Sequence, residues 1–185
     1  MVNSRKSRYK ILPEILNRWS PRAMSGKSVS KSELFTLIEA ARWAPSARNI
    51  QPWHFIYCTH RAKSWPEYLN LLEESHREWC QRAAALIVLI GEKGESNFHI
   101  FDAGAAWENL AIQGQSMGLV IHPIAMFDHQ KSRELLHVPK KYEILLMIVV
   151  GQPGNVELLA PELQTREFPK GRKKLAEIIS KEEYI

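Results

Sequence analysis

A short polar segment, Ala44–Trp53, joins a helical pattern to an apolar run and constrains both. Pro45 and Pro52 bracket it, and a proline disfavours helical geometry in the residue before it. We therefore expect the preceding helix to close at Ala44 and Gln51 to be extended. Between the prolines, hydroxyl, guanidinium and amide groups that can face a planar heterocycle come from Ser46, Arg48, Asn49 and Gln51. A turn whose side chains bond only nearby backbone is the alternative.

Helical and strand-like patterns alternate along the rest of the chain. Apolar residues three or four apart predict helices, whereas short continuous apolar runs predict buried strands. The predicted helices cover 11–19, 31–44, 65–79, 101–117, 128–137 and 175–179, and the predicted strands cover 53–58, 84–90, 119–125 and 144–150. Ser30 and Glu33 form a capping-box signature before the second helix. No repeat or linker divides the chain, so residues 1–185 are predicted to form one α+β domain.

Composition and motif spacing exclude several classes of protein. The aliphatic runs are far shorter than the ~20 residues that span a bilayer, and no signal-peptide pattern follows the first basic residues. The seven histidines lack zinc-type spacing, so no metal site is predicted. Cys58 and Cys80 form no Cys-x-x-Cys pair, which favours a reducing cytoplasm. No Gly-x-Gly-x-x-Gly fingerprint follows any predicted strand.

Positive charge collects at the two ends of the chain. The formal net charge is +5, with basic clusters over residues 5–10 and 170–174. Aromatic residues do not interleave with these clusters as they do in base-stacking surfaces. Solvated tails or a small anionic ligand are therefore favoured over DNA or RNA. Near the second cluster, Pro161 and Pro169 predict an extended arm over 158–170, of the kind that wraps a partner subunit.

Four segments carry a resemblance to a known family. They are Arg18-Trp19-Ser20-Pro21-Arg22, Ala44-Pro45-Ser46 through Gln51-Pro52-Trp53, Asp102 through Asn109-Leu110 to Gly118-Leu119, and Lys170-Gly171-Arg172. Their order and spacing resemble the nitroreductase family of FMN-dependent oxidoreductases.

The resemblance implies a mixed, mainly antiparallel central sheet flanked by helices, and a homodimer that exchanges a C-terminal arm and binds FMN at its interface. The implied cofactor-binding residues are Arg18, Trp19, Ser20, Arg22, Pro45, Ser46, Asn49, Gln51, Ile124, Ala125, Lys170 and Arg172. The basic side chains would hold the phosphate. Pro45, Ser46 and Asn49 would come from the opposite subunit, and backbone amides around Ile124 and Ala125 would approach the flavin N5.

The implied activity is reduction of nitroaromatic, quinone or related acceptors by NAD(P)H with ping-pong kinetics. Hydride transfer needs no side-chain acid or base, so no catalytic residue is predicted. Arg22 is the candidate for stabilising negative charge on the reduced flavin. Met126, where many relatives carry glycine, and the compact 60–82 segment depart from the family pattern. They motivate an alternative, an FMN-binding protein for delivery or sensing without sustained turnover.

Overall fold

A four-stranded antiparallel sheet separates two layers of helices in the computed structural model, which describes residues 5–94 and 97–184. The helices are α1 (Pro13–Asn17), α2 (Lys31–Arg42), α3 (Trp65–Leu69), α4 (Glu74–Cys80), α5 (Phe98–Ser116), α6 (His129–Leu135) and α7 (Pro161–Gln164). The strands are β1 (Trp53–Thr59), β2 (Ala85–Glu92), β3 (Val120–Ile124) and β4 (Tyr142–Gly151). Their spatial order is β1-β2-β4-β3. The α+β class and the antiparallel sheet are confirmed.

The first helical layer, α2 and α5, packs on one face of the sheet. Ser30 caps α2, because its hydroxyl accepts the Glu33 N–H while the Glu33 carboxylate accepts the Ser30 N–H, as the sequence predicts. Leu34 and Leu37 of α2 share a buried cluster with α5 and the central strands. At Gly114 of α5 an added Cβ would overlap Cγ1 of Ile121. The helix therefore lies close against β3.

The opposite face is covered by shorter helices, and here the sequence prediction is wrong. The helix expected over 65–79 is two helices, α3 and α4. Between them Leu71 and Leu72 are buried, Leu72 forms a β-bridge with Phe127, and the Leu71 carbonyl accepts the Asp128 N–H at 2.8 Å. These tertiary contacts take up backbone groups that a continuous helix would use internally.

The C-terminal segment is more structured than the predicted arm over 158–170. It contains a 3-10 turn over Val156–Leu158 and the helix α7. The helix predicted over 175–179 is instead a 3-10 turn over Leu175–Glu177. Every residue from 171 to 184 is exposed, including the large apolar side chains of Leu175, Ile178, Ile179 and Tyr184.

Candidate functional site

A basic pocket of about 280 Å³ lies where the two ends of the chain meet. Its walls come from the N-terminal segments, from β3 and from the segment after α7. The lining residues are Arg5, Arg18, Trp19, Ser20, Arg22, His122, Arg166, Phe168, Lys170 and Arg172. Cationic side chains that converge from distant parts of a sequence make a site suited to an anion with several oxygens.

A buried carboxylate joins the two limbs of this basic pocket, which are the 18–22 segment and the 166–172 segment. Glu167 is 3% exposed, and its Oε1 accepts the backbone N–H groups of Arg22 at 2.5 Å and Ala23 at 2.8 Å. Its Oε2 lies 3.6 Å from Nη1 of Arg22. The 18–22 segment is thereby fixed against the segment that carries Arg166, Lys170 and Arg172.

The pocket keeps an excess of positive charge after its ion pairs are formed. Arg18 is paired with Glu108 at 3.6 Å, and Arg22 with Glu167. Within residues 5–94 and 97–184, no carboxylate pairs with Lys170 or Arg172. The Arg172 guanidinium instead donates to the carbonyls of Lys170 and Gly171, at 3.2 and 3.0 Å.

His122 contributes a neutral ring to the wall of the basic pocket. It is 8% exposed and packs against the Trp79 ring with centroids 4.8 Å apart. Burial lowers the pKa of His122 to about 4, and the charge of Arg22 acts in the same direction. The ring is neutral at pH 7, so Nδ1–H donates to the Pro21 carbonyl at 2.9 Å.

The 45–51 segment forms a tightly bonded loop outside this pocket. The Ser46 hydroxyl accepts the Gln51 N–H at 2.9 Å, and the Gln51 side-chain amide donates to the Asn49 carbonyl at 3.0 Å. The expected extended conformation of Gln51 is wrong, because its φ is 54° and these bonds hold it in the left-handed region. The preceding helix ends at Arg42, slightly before Ala44.

Asp102 of α5 anchors the same loop from below. It is 4% exposed, and both of its carboxylate oxygens accept the Ala47 N–H, at 3.2 and 3.1 Å. Pro45, Asn49 and Gln51 are exposed, and Ser46 is half-buried. The loop is therefore bonded to α5 while most of its residues are presented on the surface.

The residues at the end of β3 do not line the basic pocket. Ile124 is buried and pairs with Met147, while Ala125 is exposed just beyond the strand. Met126 follows with 59% of its surface exposed. Ile124 and Ala125 do not line the basic pocket, although His122 of the same strand does.

The structure brings six of the predicted site residues together and places the other six elsewhere. Arg18, Trp19, Ser20, Arg22, Lys170 and Arg172 are brought together in the basic pocket, whereas Pro45, Ser46, Asn49, Gln51, Ile124 and Ala125 lie elsewhere on the same chain. The lining residues that sequence reasoning missed are Arg5, His122, Arg166 and Phe168. Only Arg5, as part of the N-terminal basic cluster, had a visible signal.

A larger groove of about 940 Å³ runs between α2 and the outer edge of β1. Its apolar lining includes Phe35, Ile38, Trp53, Phe55 and Tyr57. Phe35 and Tyr57 meet edge to face with centroids 5.7 Å apart. Because β1 is the end strand of the sheet, its outer backbone edge borders this groove.

Two further types of feature, a metal centre and a membrane-spanning helix, are absent from the described part of the chain. No cluster of three or more His, Cys, Asp or Glu side chains there could hold a metal ion. None of the helices within residues 5–94 and 97–184 combines the length and apolar character needed to cross a bilayer.

Comparison with known proteins gives consistent similarities. The nitroreductase family model matches residues 15–78 and 63–152. A protein of Archaeoglobus fulgidus, provisionally named NADH dehydrogenase/NAD(P)H nitroreductase, is 28% identical over 154 residues, which are 78% of this chain and 86% of that protein. A solved structure described as an oxidoreductase containing FMN has a TM-score of 0.95 and 33% identity, covering 99% and 97% of the two chains. A similarly named structure from Parabacteroides distasonis has a TM-score of 0.76 and 29% identity, covering 92% and 96%.

Proposed function

This chain belongs to the nitroreductase family of FMN-dependent oxidoreductases, and from that premise we propose that it uses NAD(P)H to reduce nitroaromatic, quinone or related acceptors. The observation that carries the proposal is the basic pocket, which gathers predicted phosphate ligands from both ends of the chain. The buried free thiols of Cys58 and Cys80 support a cytoplasmic location.

The donors of the basic pocket fit the phosphate of FMN. Lys170 and Arg172 supply charge that no carboxylate among the described residues neutralises, and Ser20 supplies a hydroxyl. Arg18 and Arg22 are already oriented by Glu108 and Glu167. A dianion placed among these groups receives charge-assisted hydrogen bonds, and the ion pairs of Arg18 and Arg22 hold those two donors in place beforehand.

The chain's own contribution to the reaction is binding and orientation. When bound, FMN supplies a centre that accepts hydride from a reduced nicotinamide and then passes electrons to an acceptor. Arg22, a half-buried residue that lines the pocket, would stabilise negative charge on the reduced cofactor. Backbone amides around Ile124 and Ala125 would face its reactive edge. Donor and acceptor use one site in turn, so ping-pong kinetics are expected.

We also propose a homodimer, because part of the predicted site is missing from the basic pocket of one chain. The 45–51 loop would reach the cofactor of the other subunit. An exposed strip on α5 supports such pairing, since Phe98 is 60% and Phe101 is 78% exposed. At Gly104 an added Cβ would meet nothing within 4 Å in the same chain. Such a flat apolar strip suits close approach of a second helix.

The groove beside β1 would receive the C-terminal arm of the second copy. The arm offers exposed Leu175, Ile178 and Ile179. The groove has a volume of about 940 Å³ and offers an apolar lining. Glu177 of the arm would meet Lys31, a cation that lines the groove. Burying these side chains removes apolar surface from water on both partners.

The activity is tested by anaerobic titration of the purified flavoprotein with NADH and with NADPH. Bleaching of the flavin absorbance, followed by its return when a quinone is added, is the expected result. Flavin that stays oxidised with both nicotinamides would support the alternative, a protein that delivers or senses FMN. A colourless chain that takes up no added FMN would overturn both.

The phosphate site is tested by substituting two cations that line the pocket and, separately, two neighbouring cations that do not. Lys170→Ala combined with Arg172→Ala should weaken FMN binding by about tenfold or more, because charged donors are lost. The matched control is Lys173→Ala with Lys174→Ala, which removes equal charge from exposed residues that do not line the pocket. Equal losses in both pairs would point to long-range charge instead of a defined site.

A sedimentation experiment tests the homodimer. The unchanged chain should sediment as a dimer, and removal of residues 173–185 should shift it toward the monomer. Phe101→Glu places a charge on the α5 strip and should have the same effect. A chain that is monomeric at tens of micromolar with FMN bound would overturn the assembly and leave the phosphate site standing.

A further inference from the structure

Arg5 enters the basic pocket from a segment that lies outside the family match at residues 15–78 and 63–152. We propose that Arg5 is a positioning residue of the phosphate site. Its side chain holds the two limbs of the pocket together and thereby makes the pocket selective for a phosphorylated flavin. This inference rests on the proposed FMN function and assigns a role to a segment that the family pattern does not describe.

The contacts of Arg5 span both limbs of the pocket. Its Nε–H donates to the Lys170 carbonyl at 2.8 Å, although the two residues are 165 positions apart. Its Nη1 donates to the carbonyls of Arg18 at 2.7 Å and Leu16 at 3.2 Å. One guanidinium therefore forms a clasp, which joins the start of the 18–22 segment to Lys170, a predicted phosphate ligand.

This arrangement needs arginine and not simply a positive charge. A guanidinium presents its N–H donors in a planar fork, whereas a lysine ammonium is a single point at the end of a flexible chain. A lysine at position 5 could not reproduce donors directed at Lys170 and at Arg18 with the same geometry. The clasp is thus specific to the side chain that is present.

The positive charges around Arg5 favour an anion in the pocket. Burial, followed by the charges of Arg172 and Arg18, lowers the pKa of Arg5. The cations of the pocket therefore repel one another when no anion lies between them, and a phosphate dianion relieves that repulsion. Riboflavin, which lacks the phosphate, cannot do so.

The neighbours of Arg5 supply the contrast. Lys6, Arg8 and Lys10 belong to the same basic cluster, yet they are exposed and do not line the pocket. Arg8 lies over the ring of Tyr9, with 5.6 Å between the guanidinium carbon and the ring centroid. Removing the charge of Arg8 changes net charge as much as removing that of Arg5, without touching the clasp.

The experiment compares the unchanged chain with Arg5→Ala, Arg5→Lys and Arg8→Ala. Dissociation constants for FMN and for riboflavin are measured by flavin fluorescence, and thermal unfolding is followed without ligand. Arg5→Ala should raise the Kd for FMN about tenfold or more, while the Kd for riboflavin changes less than about twofold. Arg5→Lys should resemble Arg5→Ala, and Arg8→Ala should resemble the unchanged chain.

Several results would overturn the inference. Equal losses for FMN and riboflavin in Arg5→Ala would show a general effect on folding, and an Arg5→Lys chain that binds FMN normally would show that charge alone suffices. An Arg5→Ala chain that binds both flavins normally would remove Arg5 from the site while leaving the proposed function intact. An unchanged chain that binds neither flavin would instead overturn the proposed function, and this inference with it.

Discussion

Glu167 accepts the backbone N–H of Arg22 at 2.5 Å and also lies 3.6 Å from the guanidinium of the same residue, across 145 positions of sequence. One buried carboxylate thus fixes the backbone of Arg22 by a hydrogen bond and attracts its charged end through an ion pair. It also satisfies the N–H of Ala23, which is 5% exposed. The geometry of the basic pocket depends on this contact between the two chain ends.

Glu167→Ala should therefore lower the free energy of unfolding by roughly 2–4 kcal/mol, because two backbone donors and one guanidinium lose a buried partner. Urea denaturation measures this change, and FMN affinity should fall in parallel. Glu162→Ala, at an exposed position of α7 nearby, is the control and should be nearly neutral. A Glu167→Ala chain as stable as the control would show that the limbs are held by other contacts.

Asp102→Ala should loosen the loop over 45–51 without unfolding α5. The Ala47 N–H would lose both carboxylate oxygens, which costs about 1–3 kcal/mol at a buried site. Hydrogen exchange of the Ala47 amide is the direct measurement, and its protection should drop at least tenfold. Asp102→Asn keeps one acceptor oxygen and should retain intermediate protection. Unchanged exchange in both variants would contradict the anchoring role.

The sequence predicted the elements well where local signals and tertiary packing agree. The capping box of Ser30 and Glu33 defines the start of α2, and the continuous apolar run that became β2 is buried on both faces. The prediction was wrong over 65–79, where helical spacing continues through Leu71 and Leu72. The bridge from Leu72 to Phe127 joins distant segments, and no local pattern reports such a contact.

The candidate site shows the same contrast between residues that a sequence pattern can indicate and residues placed by long-range contacts. Lys170 and Arg172 were predicted through a family resemblance, and the structure places them beside Arg18. His122 was missed because a lone histidine in a strand gives no sign of what it faces. Arg5 was assigned only to a basic cluster, since its carbonyl partners lie up to 165 positions away. Long-range backbone contacts of this kind leave no spacing pattern in a sequence.

Stability should fall as the solution is acidified from pH 6.5 toward pH 4, and His122 is one identifiable cause. Its pKa is lowered from 6.5 to about 4 in the folded chain, so between these values the unfolded chain binds a proton that the folded chain does not. At about 1.4 kcal/mol for each pH unit, the loss approaches roughly 3 kcal/mol. This loss is complete only below about pH 4 and is absent above about pH 7.

Urea denaturation at several pH values measures this loss, with His122→Gln as the comparison. The variant should show a shallower decline between pH 6.5 and pH 4, because one titrating group is gone. Some decline should remain, since burial also lowers the pKa of His76, whose ring lies 6.1 Å from that of Trp79. Identical slopes for the two chains would show that His122 does not titrate in this way.

Gly114→Ala should destabilise the chain even though alanine favours helices over glycine by about 0.5–1 kcal/mol. The added Cβ would overlap Cγ1 of Ile121 and lie 2.7 Å from its Cδ1, so α5 or β3 must shift. Overpacking of this kind costs about 1–3 kcal/mol. A double-mutant cycle with Ile121→Ala isolates the overlap, because Ile121→Ala removes both contacted atoms. The cost of Gly114→Ala should then shrink or change sign, and an unchanged cost would mean that the close approach of α5 to β3 is not what requires glycine.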